Sequence, residues 1–356
     1  MRANRGGQCR LDLTNMSTIP HICVVGSLNI DFVTFTPRCP EPGETLTAIS
    51  LLVTGGGKGA NQAVACGRAS FVSKAHQDVI VSMIGAVGPN DPYYLTLLRP
   101  MLEDSGVSTR GIEETKESQT GSATIIVEKG AGGENRILVV PGANHSGMND
   151  VDKILTITKS QAQPLGVVVM QGEIPRLTVL ALLQHFNGPA SDAHVIFNPA
   201  PVFPEGVPLT ALADTSVLIM NETEAVQMTG SIPKFPVSVQ TEAGLKPEEI
   251  APYFHKIAKI KIVLITLGAK GVFFSTSNGK QGFVRGVAVD KVVDTTAAGD
   301  TFVGYFATTF SKFVATGATL DKFDVEIEKA VQEANAAAAI CVQRRGAMQS
   351  IPFAYE

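Results

Sequence analysis

The chain predicts an α/β fold, a mostly parallel central sheet flanked by helices on both faces, with a small β-sheet attached. Three observations carry this. Apolar runs of strand length recur at 21–26, 79–85, 167–171, 195–198, 217–221 and 262–266, and helical or turn sequence follows them. The runs are apolar almost throughout instead of alternating, as in strands buried on both faces. Residues 45–54 and the hairpin across 120–140 are β-rich but fall outside that rhythm, so they read as an accessory sheet.

In chain order, residues 21–26 (HICVVG) form a buried strand. Ser27-Leu28-Asn29-Ile30-Asp31 follows at its C-terminal end, where open α/β sheets place ligand groups. Residues 45–54 alternate loosely, and the small-residue stretch 60–69 is helical. Residues 71–78 are a surface insertion before the strand at 79–85, and 92–102 form a helix. The β-rich pieces 120–127 and 136–140 flank the Gly-rich turn 130–135, a hairpin signal. Residues 231–247, with Pro233, Pro236 and Pro247, read as a second surface insertion. Residues 301–313 are an apolar helix, and the Ala-rich helix 326–342 packs close to the sheet.

The 356 residues fit one large α/β domain plus a small appendage, and 44% hydrophobic content supports a sizeable core. A net charge of −4, with charges dispersed, gives no basic face for nucleic acid or a membrane surface. No apolar run reaches membrane-spanning length. The five cysteines are scattered without C-x-x-C or zinc spacing, which predicts a reduced, cytoplasmic protein, with Cys23 and Cys66 as small core residues. Arg2, Arg5 and Arg10 lie in the first twenty residues without an apolar h-region, so 1–20 are expected to be a disordered extension.

Two motifs point to chemistry. Asp294-Thr295-Thr296-Ala297-Ala298-Gly299-Asp300 leads directly into an apolar helix. Small residues entering a helix let N–H groups point outward together, and the helix dipole adds positive potential, so this corner holds an anion. Asp300 is a carboxylate set into it. Alone it reads as an N-cap. As a base it would take a proton from a hydroxyl whose oxygen attacks a phosphoryl group held by the N–H groups. The other motif is Gly55-Gly56-Gly57-Lys58-Gly59-Ala60-Asn61-Gln62-Ala63-Val64-Ala65. Its glycines allow close backbone approach to a ligand, and Lys58 and Asn61 share a helix face. Gly59 stands where a Walker phosphate loop needs Ser or Thr.

The two motifs resemble those of the ribokinase branch of the PfkB sugar-kinase family, and the likeness runs from about Ile22 to Phe353. The resemblance implies a ribokinase-like fold over 21–356, with a lid from about 35–57 and 114–141 that covers the sugar and pairs two copies into a homodimer. It implies ATP-dependent phosphorylation of D-ribose at O5, Asp300 as general base, and an anion hole at Ala297, Ala298, Gly299 and Asp300. Sugar contacts fall by resemblance on Asn29, Asp31, Gly57, Lys58, Asn61, Ala123 and Glu173. The nucleotide side falls on Asn221, Glu224, Thr266, Gly268, Gly271, Gly299 and Asn335, with Glu224 near Mg²⁺ through water. A K⁺ site is implied at Asp294, Thr296, Cys341, Arg344, Gly346 and Ser350. Ala297 departs from the Gly found in many relatives, and is expected to be tolerated through a negative φ. Read on their own, Asn29 and Asp31 suit a strand-end Asx turn equally, and Asn221 with Glu224 suits a helix start. Deoxyribose, fructose, keto-sugar acids and nucleosides remain open as substrates, as do a glycosidase or a sugar-sensing protein of the same fold.

Overall fold

The first apolar run becomes β1 (His21–Val25), buried along its whole length inside a nine-stranded sheet. The computed structural model describes residues 19–131, 134–233, 235–236 and 241–356. The expected disordered extension therefore lies, through residue 18, outside the described residues, as do parts of the turn 130–135 and of the insertion 231–247.

After β1 the chain leaves the large sheet as β2 (Asn29–Thr36) and β3 (Ser50–Gly56), then crosses one face as α1 (Lys58–Ala69). A short hairpin, β4 (Phe71–Ser73) and β5 (His76–Gln77), precedes β6 (Ile80–Val87), α2 (Arg99–Asp104) and β7 (Val107–Glu114). The second accessory pair is β8 (Gly121–Glu128) and β9 (Glu134–Val140). Next come α3 (Ala143–Ser146), α4 (Val151–Lys159), β10 (Val167–Met170), α5 (Arg176–Phe186), β11 (His194–Phe197) and α6 (Leu209–Leu212). Then follow β12 (Val217–Asn221), α7 (Glu222–Ser231), α8 (Pro247–Ala258) and β13 (Ile262–Thr266). The chain closes with β14 (Gly271–Thr276), β15 (Gln281–Arg285), α9 (Ala298–Val314) and α10 (Ile327–Cys341).

The large sheet runs β15-β14-β13-β12-β11-β10-β1-β6-β7. It is parallel from β7 to β13, and β14 and β15 add antiparallel strands at the far edge. The chain builds β6 and β7 on one side of β1, then returns to place β10 on the other. That reversal opens a crevice at the carboxyl ends of β1 and β10. Alternate residues of β1 serve two cores: Ile22 and Val24 join one cluster, Cys23 and Val25 the other. The first cluster lies under α1, α9 and α10, where Phe306, Phe310 and Phe323 meet with ring centroids 5.2–6.2 Å apart. Cys66 is fully buried there, as Cys23 is in the other layer.

The accessory sheet has the order β3-β2-β8-β9. Its central pair β2 and β8 is parallel, and each outer pair is antiparallel. The register aligns Thr54, Asp31, Ala123 and Val139 across all four strands, so these residues share one face.

Several expectations need adjustment. The lid begins at Asn29, not near 35, because the polar residues Asn29 and Asp31 alternate with Ile30 and Phe32 as one half-buried strand. Residues 114–120 end β7 and turn toward the lid without belonging to it. Residues 45–49 form no strand, since regular pairing with β2 begins at Ser50. The helix at 92–102 opens with a π-helical turn, Tyr94–Leu98. The insertion 71–78 is the β4–β5 hairpin, docked by the Asp78–Lys312 ion pair.

Candidate active site

Val25 of β1 lies beside Met170 of β10, and beyond them the two strands diverge. Ser27 to Asp31 lead into the lid, while Gln171 to Glu173 turn the other way. The cavity between the crevice and the lid measures about 530 Å³. Asn29, Asp31, Gly57, Lys58, Asn61, Ala123 and Glu173 all line it, with Asp300 on its floor. Residues scattered over the sequence thus line one cavity.

Hydrogen bonds hold Asn29 and Glu173 in place. Asn144 Nδ2 donates to Asn29 Oδ1 at 2.7 Å and thereby fixes the Asn29 amide. Glu173 Oε2 accepts from Ser27 Oγ at 2.5 Å and from the Lys58 N–H at 2.8 Å. It therefore sits at the positive N-terminus of α1. Gly57 precedes that helix at φ 88°, and a Cβ there would come within 2.9 Å of the Asn29 nitrogen. Only glycine fits this turn. Asp31 Oδ1 and Asn61 Oδ1 are buried acceptors without partners among the described residues. Such atoms are costly to leave bare, so the cavity suits a ligand that presents several hydroxyl donors. Burial, and next the charge of Glu173, push the Asp31 carboxyl up to about 7. Burial pulls Lys58 down, but Asp300, Glu173 and Glu224 outweigh it, so its ammonium is held above its ordinary range.

Asp300 lies in the first turn of α9 and is 7% exposed. Its carboxylate is aimed by two adjacent amides of α1: Asn61 Nδ2 donates to Oδ2 and Gln62 Nε2 to Oδ1, both at 2.9 Å. Gly299 and Asp300 occupy the turn where helical N–H groups have no intrahelical acceptor. A Cβ at Gly299 would meet nothing within 4 Å, so that residue faces open space. Ala297 corrects an expectation. Its φ is 61° and ψ 8°, the left-handed region, not a negative φ. The chain reverses there to start α9, and the Cβ adds roughly 1–2 kcal/mol of strain that glycine would avoid.

A second, apolar cavity of about 270 Å³ adjoins the first, and both are lined by Thr266, Thr295 and Gly299. Gly268, Gly271 and Asn335 line this second cavity too. Asn335 Nδ2 reaches the Arg285 carbonyl at 3.4 Å. Asn221 and Glu224 form a capping box at the start of α7, yet both also line the larger cavity. Glu224 Oε2 accepts from the Asn221 N–H at 2.9 Å and from Asn198 Nδ2 at 3.3 Å, and its Oε1 from Asn221 Nδ2 at 3.0 Å. A carboxylate with three N–H donors has little capacity left for direct metal ligation, and suits Mg²⁺ held through water. Burial pushes the Glu224 carboxyl up, against the opposing pull of the Asn221 N–H and Lys58.

Behind the anion corner, Asp294 accepts from the Thr296 N–H at 2.9 Å through Oδ1 and from the Gly346 N–H at 3.0 Å through Oδ2. Cys341 Sγ lies 3.0 Å from Ser350 Oγ and 3.6 Å from the Thr296 carbonyl. The Cys341 carbonyl accepts the Arg344 N–H at 3.0 Å, which leaves it a second lone pair. All six residues of the implied cation site therefore belong to one locality, and its oxygen-rich donor set fits K⁺.

Sequence reading assigned no role to Gln62, Asn198, Asn144, Gln171 or Ser27. Gln62 lies inside the glycine motif, and a polar Gln in a helix of small residues was the available signal; the structure buries it fully. Asn198 and Gln171 follow the carboxyl ends of β11 and β10, where ligand-side groups are expected.

Fold and site together describe an α/β protein whose helix-entry turn, with the buried carboxylate of Asp300, lies between a polar and an apolar cavity. The chain matches the pattern of the pfkB family carbohydrate kinases over residues 20–354, and it belongs to that family. It is 35% identical over 344 residues to the ribokinase of Schizosaccharomyces pombe, covering 94% of this chain and 96% of that protein. Identity to the ribokinase of Haemophilus influenzae is 34% over 337 residues, again covering 94% and 96%. The solved ribokinase of Thermotoga maritima superposes with a TM-score of 0.73 at 33% identity, over 94% of this chain and 97% of that one. The Arabidopsis thaliana ribokinase complexed with ribose and ATP gives 0.74 at 27% identity, over 95% and 97%.

Proposed function

We propose that the protein is an ATP-dependent kinase of D-ribose, transferring the γ-phosphoryl group of ATP to O5 to give ribose 5-phosphate and ADP. The observation that carries this is the common wall of the two cavities, formed by the turn that ends in Asp300. A sugar in the polar cavity and a nucleotide in the apolar one would meet only there. Asn29, Asp31, Lys58, Asn61 and Glu173 bind and orient the sugar hydroxyls. Asp300 accepts the O5 proton as that oxygen attacks. N–H groups of 297–300 stabilise the charge on the transferring group, and the lid excludes water that would otherwise accept it. Thr266, Gly268, Gly271 and Asn335 receive the nucleotide. Mg²⁺, when bound, offsets charge on the phosphates, and Glu224 orients its water shell. Asp294, Thr296, Cys341, Arg344, Gly346 and Ser350 would hold K⁺, which would supply positive charge behind the anion turn. Residues 21–356 act as one kinase domain, two copies pair through the lid, and the protein works in the cytoplasm.

ADP release measured with D-ribose, 2-deoxyribose, D-fructose and a nucleoside tests the assignment. D-Ribose is expected to give the highest kcat/KM. Asp300→Asn, which is isosteric, keeps the fold and lowers kcat by roughly a hundredfold or more. Sugar-independent ATP hydrolysis, or near-normal turnover by Asp300→Asn, would overturn it.

A further inference from the structure

Gln62 is fully buried in the second turn of α1, and its amide is held at both ends. Nε2 donates to Asp300 Oδ1 at 2.9 Å and to Asn198 Oδ1 at 3.0 Å, while Oε1 accepts from Gln171 Nε2 at 2.7 Å. Asn198 Nδ2 in turn donates to the Ile219 carbonyl at 3.0 Å and to Glu224 Oε2 at 3.3 Å. An amide has one donor end and one acceptor end. Gln171 occupies the acceptor end and Asn198 one of the donor protons, so the Gln62 amide cannot flip without opposing its oxygen to a carboxylate. The second proton therefore always faces Asp300.

Asp300 needs this. One N–H, from Asn61, leaves its carboxylate free to turn about the last side-chain bond. Asn61 also faces the sugar cavity, where a ligand competes for it. Gln62 does not line that cavity. We infer that Gln62 is a positioning residue that aims the Asp300 carboxylate at the acceptor hydroxyl, held in turn by Gln171 and by Asn198. The chain Gln62–Asn198–Glu224 also joins the base to the phosphate side of the site without placing the two carboxylates in contact. The inference rests on the kinase reading above and adds to it a role for a residue that touches neither substrate.

The test is a double-mutant cycle in the full-length protein with D-ribose, ATP and Mg²⁺. Gln62→Met keeps the side-chain length and removes the donor. It is expected to lower kcat on the order of ten- to a hundredfold, with KM for ribose and for ATP changed by less than about threefold. In the Asp300→Asn background the same change should lower kcat by less than about threefold, because residues acting as one unit are not additive. Asn198→Ala should reproduce the kcat loss in weaker form. Thr308→Val removes a different hydrogen bond between α9 and α1, from Thr308 Oγ1 to the Cys66 carbonyl at 3.2 Å. It should lower the melting temperature while leaving kcat near normal. Equal losses from Gln62→Met in both backgrounds, or an unchanged kcat, would overturn the positioning role and leave the kinase assignment standing. Absence of ribose phosphorylation in the unmodified protein would overturn the kinase assignment itself.

Discussion

As the proposed sugar contact, the buried carboxylate of Asp31 would couple sugar capture to pH. Its folded value of about 7 stands above the ordinary 3.8, so the fold holds the proton more tightly than the unfolded chain does. Stability from this group is therefore present below the ordinary value and is lost as pH rises through about 7. Ligand binding runs the opposite way, because the ionised carboxylate accepts hydroxyl protons on both oxygens, whereas protonation turns one oxygen into a donor that opposes a hydroxyl proton. At one unit below the folded value about a tenth of the sites are competent, so KM for ribose should lie roughly tenfold above its alkaline plateau. Initial rates between pH 6 and 8.5 check this, and a flat KM across that range would exclude it. The residues of the site were legible where a motif concentrated them: Gly57, Lys58, Asn61 and Asp300 fall within two short stretches. The sign of φ at Ala297 was not legible, because it follows from how the chain enters α9, which needs the placement of the loop behind it. The amides Gln62, Asn198 and Gln171 were also missed, since their meaning lies in contacts between helices and strands up to 238 positions apart.

Among the elements, the lid has two unlike faces. Asp31, Ala123 and Val139 look into the larger cavity, whereas Leu138 lies on the opposite face and is 67% exposed. Leu51 and Val140 are exposed apolar residues of the outer strands. Edges and faces of this kind are normally covered in a stable protein, and a second lid would cover them. Sedimentation velocity should give a two-subunit mass for the unmodified protein and a one-subunit mass for Leu138→Lys. Stability within each subunit should change by only about 0.5 kcal/mol, because the side chain is exposed. A one-subunit mass for both would rule out pairing. The strands of the large sheet were legible because burial on both faces writes unbroken apolar runs. β12 and β13 have the bounds read from sequence. β2 was missed because its polar ligand groups interrupt the pattern, and the short hairpin β4–β5 because it has no apolar face of its own.

Across the whole molecule, the anion corner depends on a segment distant in sequence. Asp294 ties the 294–300 turn to the loop after α10 through the Gly346 N–H. The Val342 carbonyl accepts the N–H groups of Val293 and Asp294 at 2.8 and 3.2 Å. A cation of K⁺ size among these oxygens would favour the ordered turn, and an ion that prefers one state shifts the population toward it. Phosphorylation of ribose should rise several-fold when K⁺ replaces Na⁺ at constant ionic strength, and Asp294→Asn should blunt that rise. Identical rates in K⁺, Na⁺ and a bulky organic cation would remove the site. The overall architecture was legible from rhythm alone, but the meeting of residues 294 and 346 was implied only by family resemblance, since no local pattern encodes it. β2 carries a wider consequence. It is an inner strand of the lid, and it also bears Asn29 and Asp31, so the lid cannot shift without moving two residues that line the larger cavity. In a pair of subunits joined through that sheet, ligand and neighbour act on one mechanical part. Thermodynamic reciprocity then requires that ribose strengthen association by the same factor by which association strengthens ribose binding.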